Sequence, residues 1–311
     1  MKPLIAVVGG FLGAGKTTLI LTGARLLEQR GMKAAAILND QGGDLVDTHH
    51  ASALGLACDQ VTGGCFCCRF PDLVDAAGRL LAHQPDMIFA EAVGSCTDIV
   101  ATTLRPLLRD YAGRFRVAPL TVVLHPRGQF DHPGLDFLYR NQVAEADILY
   151  ARGESVQAWL DRLLAGGIPA GARKLDIDYA RYAEAEAALA WLNVHVTADA
   201  DPPISAPVLI GPLLDRLEPQ IRIVHLKLFL ESDAGYLKAA LTANGQDPIV
   251  EGALDASPSS RHEILLNIRA LTDPQSLRAI VEREFAALPA RLLWKHVECF
   301  RPSPPVPFCR V

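Results

Sequence analysis

The 311-residue chain has no run of about 18 apolar residues, the length a helix needs to cross a bilayer, so no membrane span and no membrane partner are expected. Its opening, Met1-Lys2-Pro3-Leu4-Ile5-Ala6-Val7-Val8, is too short an apolar run for a secretory signal, and a cytoplasmic location is the expectation. Positive charge is not in excess. Thirty Lys+Arg stand against 35 Asp+Glu, a net charge of −5, which argues against nucleic acid as the principal partner, because phosphate binding needs a basic face. There is no internal repeat and no His-rich stretch. Nor are the seven cysteines an even set for disulfide pairing. Three of them fall within four positions, and in a reducing compartment such a cluster reads as metal or redox chemistry.

What the chain does have is ordinary globular composition, 50% hydrophobic and 21% charged, and a length sufficient for about two domains. Leu4–Val8 is a short β-branched run of the kind buried in a parallel sheet. A helix is expected over 16–30, with Gly31 after it as a C-cap. Ala34–Leu38, Met87–Ala90, Leu120–Leu124 and Ile148–Tyr150 read as further strands, with helices such as 71–83 and 97–112 between them. This alternation predicts an α/β fold with a parallel sheet and helices on both faces. The polar, Pro-rich stretch 199–207 reads as a linker. It divides a nucleotide-binding domain over 1–200 from a C-terminal domain over 208–301, and 302–311 is expected to be an extended tail. In the second domain, strands at 221–230, 248–253, 264–270 and 292–300, with helices at 234–243 and 273–288, give the β-α-β-β-α-β order of a ferredoxin-like unit.

Gly10-Phe-Leu-Gly-Ala-Gly15-Lys16-Thr17 fits G-x-x-x-x-G-K-[ST] between a strand and a helix, the phosphate-binding loop. Its glycines turn backbone amides toward phosphates, and the helix adds its positive N-terminal end. Lys16 would bridge the phosphates and the Thr17 hydroxyl would ligate Mg²⁺. Asp86-Met-Ile-Phe-Ala-Glu91 is a strand ending in a carboxylate, suited to hold the same metal. Lys16 and Glu91 are the residues expected to carry the chemistry. Gly94 follows where an amide could sense a γ-phosphate. Asn39-Asp40-Gln41-Gly42-Gly43 is a loop that could order on Mg²⁺ and phosphate.

Gly63-Gly64-Cys65-Phe66-Cys67-Cys68 is the second strong signal. In an extended segment Cys65 and Cys67 would share one side, and a bend would bring in Cys68. Thiolates select Zn²⁺ or Cu⁺, and Co²⁺ takes a similar tetrahedral site. Three ligands leave one position open, which suits transfer better than structure. His49 and His50 offer a fourth ligand. Cys58, Cys96, Cys299 and Cys309 read as ordinary buried or tail cysteines, with Cys96 closest in sequence to Glu91 and Gly94. In the second domain His225 and Lys227 alternate onto one strand face, read as a solvated side or a docking surface for a client.

Taken together, GGFLGAGKTTLI, the Asn-acid-x-Gly loop, GGCFCC and the strand ending in Glu91 with Gly94 resemble the CobW-like GTPases of the nickel-chaperone GTPase group. The resemblance covers roughly residues 1–150. It implies a nucleotide site built from Gly10, Gly13, Ala14, Gly15, Lys16, Thr17 and Thr18, with Asp40 standing where the family usually has Glu. It implies Mg²⁺ held by Thr17 and Glu91, slow GTP hydrolysis, and a transition metal, Zn²⁺ or Co²⁺, bound by Cys65, Cys67 and Cys68 for delivery to a client metalloenzyme. A corrinoid enzyme as client, or a regulatory module that binds nucleotide without turnover, are the alternatives. Two departures touch the nucleotide site. The guanine-reading Asn-Lys-x-Asp is replaced by Ile148-Leu-Tyr-Ala-Arg152-Gly-Glu154-Ser155, which leaves GTP against ATP open. His125 stands where the family usually has Asp.

Overall fold

Every residue of β1 (Leu4–Gly10) is buried, because a strand in the middle of a parallel sheet is covered on both faces. The computed structural model describes residues 2–43, 46–252 and 257–311. The chain continues through α1 (Lys16–Gln29), β2 (Ala34–Asn39), α2 (Val46–Ala53), β3 (Ala57–Val61), α3 (Phe70–Leu80), β4 (Met87–Glu91), α4 (Arg105–Asp110), β5 (Arg116–Val117), β6 (Thr121–Val123), α5 (Pro133–Glu145), β7 (Ile148–Tyr150), α6 (Val156–Ala165) and α7 (Tyr179–Ala187). Strands β3-β2-β4-β1-β6-β7 form one parallel sheet in that order, with β5 also pairing with β1. Leu4, Ala6 and Val8 face a core that includes Ile20 and Leu27 of α1 and Trp159 and Leu163 of α6. Ile5 and Val7 are as completely buried on the other face. The predicted P-loop architecture is therefore present. No helix among the described residues is long and apolar enough to cross a membrane.

The second sheet is antiparallel. It is built from β8 (Ala190–Ile204), β9 (Ile223–Ser232), β10 (Gly235–Leu241), β11 (Ile249–Gly252), β12 (Ser259–Ala270) and β13 (Arg291–Phe300), in the order β11-β10-β9-β12-β8-β13. Helices α8 (Ala206–Leu217) and α9 (Pro274–Ala286) cover one face, where Leu209, Leu213, Leu277 and Phe285 meet Val194, Leu228 and Ile268. The inner order β13-β8-β12-β9, with a helix after β8 and another after β12, is the ferredoxin-like arrangement, and the β10–β11 hairpin extends its edge.

Three expectations are overturned here. Residues 234–243, read as a helix from their Ala, Lys and Leu content, are strand β10: Gly235 turns at φ 119° and β10 pairs with β9 along its whole length, so long-range pairing overrides helix propensity. The stretch expected as a linker is instead the end of β8 and the start of α8, and the chain divides elsewhere. One compact unit holds Met1–Gln41, Ala51–Glu186 and Pro304–Val311; the other holds Gly42–His50 and Ala187–Ser303. The tail thus belongs to the first unit, anchored by Val311 N donating to Ala101 O at 2.8 Å and by Arg310 on Asp98 at 2.8 Å. Finally, the β9 face carrying His225 and Lys227 is neither solvated nor open. Within the second unit Lys227 pairs with Asp47, Val46 N donates to Asn267 Oδ1 at 3.2 Å, and Val46 packs on Phe229 and Leu265. Burial would raise the Asp47 carboxyl, but Lys227 and Lys238 outweigh it and hold the group well below the usual carboxylate range.

Glu145, at the end of α5, is fully buried and accepts from Val100 N at 3.0 Å and Thr97 Oγ1 at 3.2 Å. Burial, with the Asp98 charge adding to it, pushes its carboxyl up to about 8, against 4.5 ordinarily. The folded chain keeps this proton where the unfolded chain has lost it. The stabilisation is therefore complete below about pH 4.5 and declines as pH rises to about 8. Glu145→Gln is expected to flatten that decline, read as the urea midpoint measured at several pH values; an unchanged slope would remove Glu145 as its source.

Candidate functional site

The loop between β1 and α1 is shaped by glycine. Gly10, Gly13 and Gly15 have φ of 134°, 78° and 100°, and a Cβ on Gly10 would lie 2.6 Å from Val123 O. Lys16 is buried and folds over this loop. Its Nζ donates to Gly10 O at 3.0 Å and Phe11 O at 3.3 Å, and lies 3.9 Å from Glu91 Oε1. Thr17 Oγ1 donates to the Glu91 carboxylate at 2.9 and 3.1 Å. Parallel pairing sets that meeting: β1 and β4 are neighbours with Val8 opposite Glu91, so the carboxylate emerges at the strand end beside the helix start. A hydroxyl and a carboxylate are hard oxygen donors that fit Mg²⁺. Ala14 is buried; Thr18 is exposed on the first turn of α1.

Gly94 has a packing role that the sequence did not show. A Cβ there would sit 2.6 Å from Leu12 Cδ2 and 3.0 Å from Leu12 Cα, so only glycine lets the segment after Glu91 lie against the phosphate loop. Gln142 of α5 pins this segment, donating to Gly94 O and Cys96 O, both at 2.9 Å. Asp40, half-buried, is held through its backbone N donating to Val61 O at 3.2 Å. His125 is buried beside Phe11, and burial first, then the charges of Arg127 and Lys16, push its pKa down to about 4. Its surroundings therefore favour the neutral imidazole. Glu154 is exposed, and its backbone O accepts from the Tyr150 hydroxyl.

Cys65, Cys67 and Cys68 have their sulfurs within 4.8 Å of one another. The segment is not extended, as the alternation argument assumed. Cys68 N and Arg69 N both donate to Cys65 O, at 3.0 and 2.9 Å, which makes one tight turn leading into α3. The turn gathers all three thiols on one side. Nor is the loop exposed: Cys65 and Cys67 are buried and Cys68 half-buried. The Cys65–Cys68 and Cys67–Cys68 sulfur distances are 3.7 and 3.6 Å. A tetrahedral thiolate ion with metal–sulfur bonds of about 2.3 Å has sulfur–sulfur edges of about 3.8 Å, so the donor set fits such an ion. Hydrogen bonding among the thiols, from Cys65 first, raises Cys67 well above its usual range, and raises Cys68 to about 11. A metal would have to displace those protons.

Asn39 builds this site and was missed. At the end of β2, its Nδ2 donates to Val61 O at 2.9 Å and Gly64 O at 2.8 Å, and its Oδ1 accepts from Phe66 N at 3.0 Å. The residue beside Asp40 thus clasps the cysteine turn. The tail closes it from outside, with Phe308 N donating to Cys67 O at 2.8 Å. His49 and His50 do not join the thiols but belong to the second unit, where Lys238 and Glu251 flank His50.

Residues 4–151 match the family model described as CobW/HypB/UreG, nucleotide-binding domain. This segment is a CobW/HypB/UreG nucleotide-binding domain. The chain is 38% identical over 101 residues to the zinc chaperone YjiA of Escherichia coli (strain K12). That match covers 31% of this chain and spans 31% of the length of the relative. Among solved structures, Zn(II)-bound YjiA GTPase from E. coli aligns over 93% of this chain and 99% of its own, with 17% identity and a TM-score of 0.34. HypB from Helicobacter pylori in complex with nickel aligns over 52% of this chain and 74% of its own, with 16% identity and a TM-score of 0.35.

Proposed function

We propose that this chain is a nucleotide-dependent metallochaperone. It binds a nucleoside triphosphate, GTP by family likeness and with ATP as the competitor, at Gly10–Thr18 with Mg²⁺ on Thr17 and Glu91. It hydrolyses the nucleotide slowly and hands a metal ion, zinc or cobalt, from Cys65, Cys67 and Cys68 to a client metalloenzyme. The zinc chaperone YjiA supports zinc as the cargo. The observation that carries the reading is the shared clasp. Asn39, one residue before Asp40, holds the turn that gathers the three thiols, so ordering of that loop on a γ-phosphate would alter thiolate geometry. Lys16 would neutralise developing phosphate charge, and Glu91 would hold the metal and its water, as in other P-loop proteins.

The test is a Co²⁺ titration, following the thiolate charge-transfer band, of the chain alone, with a diphosphate and with a non-hydrolysable triphosphate. The triphosphate is expected to change metal affinity by about 5–150-fold, and the diphosphate by less. Three superimposable curves would leave two unrelated sites and end the chaperone reading.

A further inference from the structure

Cys65 and Cys67 are buried, so an ion held by their sulfurs cannot enter or leave until something that covers them moves. Segment 304–311 lies over the turn that carries them. Phe308 N donates to Cys67 O at 2.8 Å, which sets the segment against the peptide joining Cys67 to Cys68. The Phe308 ring stacks on Phe70, the first residue of α3, with centroids 6.4 Å apart and planes at 22°. Beyond the turn, Arg310 Nε donates to Asp98 Oδ2 at 2.8 Å, Arg310 Nη2 donates to Leu175 O at 2.7 Å, and Val311 N donates to Ala101 O at 2.8 Å. The segment therefore crosses the cysteine turn and is tied down past it.

These ties are unequal. Val306 and Phe308 are 74% and 63% exposed, and Pro305 is the one buried residue of the segment, so apolar burial holds it only weakly. Asp98 is the opposite case. Its side chain is fully buried; Oδ2 also accepts from the Tyr179 hydroxyl at 2.7 Å, and Oδ1 has no hydrogen-bond partner among the described residues. A buried carboxylate depends on a paired charge, and the partly exposed Arg310 guanidinium supplies it from the segment. The ion pair is the strongest single tie, and its cation stands on the side open to solvent.

We propose that segment 304–311 is a strap over the thiol site, latched by Arg310 on Asp98, and that its opening is the step through which a metal ion enters and leaves. The proposal rests on the metal-carrying reading of Cys65–Cys68 and adds to it the path of exchange. A gate slows entry and exit alike, so releasing its latch raises both rates and leaves affinity nearly unchanged. A segment that only braced the turn would act on release alone. Exchange through a local opening follows the population of the open state. Loss of a charge-assisted tie raises that population by on the order of tenfold or more.

The experiment is stopped-flow on the full chain with Co²⁺ under reducing conditions. Growth of the thiolate charge-transfer band reads uptake, its loss into excess chelator reads release, and competition at equilibrium gives affinity. The wild type is compared with Arg310→Gln and with Arg310→Gln combined with Asp98→Asn, which leaves no unpaired buried charge. Both variants should take up and release Co²⁺ about tenfold faster or more, with affinity within about threefold of wild type. The Phe308 amide should exchange its hydrogen faster by a similar factor. Unchanged rates in a folded variant would overturn the strap. Faster release with unchanged uptake would overturn it too, and leave the segment a brace. No thiolate band in the wild type would overturn the metal-carrying reading itself. Phe308→Ala, which removes the Phe70 stack and keeps both charges, should quicken both rates in the same way and decides the matter if neither charge variant folds.

Discussion

Lys16→Ala will weaken nucleoside-triphosphate binding by on the order of 100-fold or more. Its ammonium is already buried over the loop, 3.0 Å from Gly10 O and 3.9 Å from Glu91, so bound phosphate would meet a charge held in place at little further cost in order. A hydrogen bond to a charged group contributes about 1.5–3 kcal/mol, and an affinity change of tenfold is about 1.4 kcal/mol, so losing one or two such bonds reaches that range. The fold should tolerate the change. The two carbonyls it leaves belong to one glycine-rich loop, and a loss of about 1–3 kcal/mol of stability is expected. A fluorescent triphosphate titrated in the presence of Mg²⁺, with a thermal melt on the same samples, gives both numbers. Wild-type affinity in a folded variant would mean that this loop does not bind phosphate.

Asn39→Ala is the change expected to separate the two sites. One side chain satisfies two carbonyls and one amide around the cysteine turn. Leaving buried backbone groups unsatisfied costs about 1–3 kcal/mol each, and partial rehydration brings the expected loss to about 2–4 kcal/mol. Lys16, Thr17, Glu91 and the three cysteines are all retained, so nucleotide and metal should each still bind. What should disappear is their mutual effect: metal affinity with and without triphosphate should agree within about twofold, where the wild type shows the larger factor typical of allosteric coupling. The Co²⁺ titration described above reads this directly. Full wild-type coupling in Asn39→Ala would show that the loop after β2 is not the link.

Local signals were legible where a short run of residues carries its own geometry. The spacing of Gly10, Gly15 and Lys16 requires left-handed backbone at defined positions, and the structure has it. The cysteine run brings its thiols together within a single turn, although by a helical turn and not by strand alternation. Segment 234–243 shows the opposite case, because its composition favours a helix and only the partner strand β9 makes it a strand. The polar Pro-rich stretch was misread for a related reason. Asp201, Pro202 and Pro203 lie near the end of β8, where their exposure resembles that of a linker although β12 pairs along most of the strand.

The sequence by itself determined the alternation of strands and helices, the phosphate-loop motif, the Glu91 strand end and the three-thiol cluster, because each is carried by short runs of residues. Tertiary structure alone decided the rest. It joined Thr17 to Glu91, set Asn39 against the cysteine turn, drew the tail over Cys67 and placed residues 42–50 in the second unit. These meetings are made by the order of strands in a sheet, and strand order follows from how whole faces bury against one another, which no local spacing records.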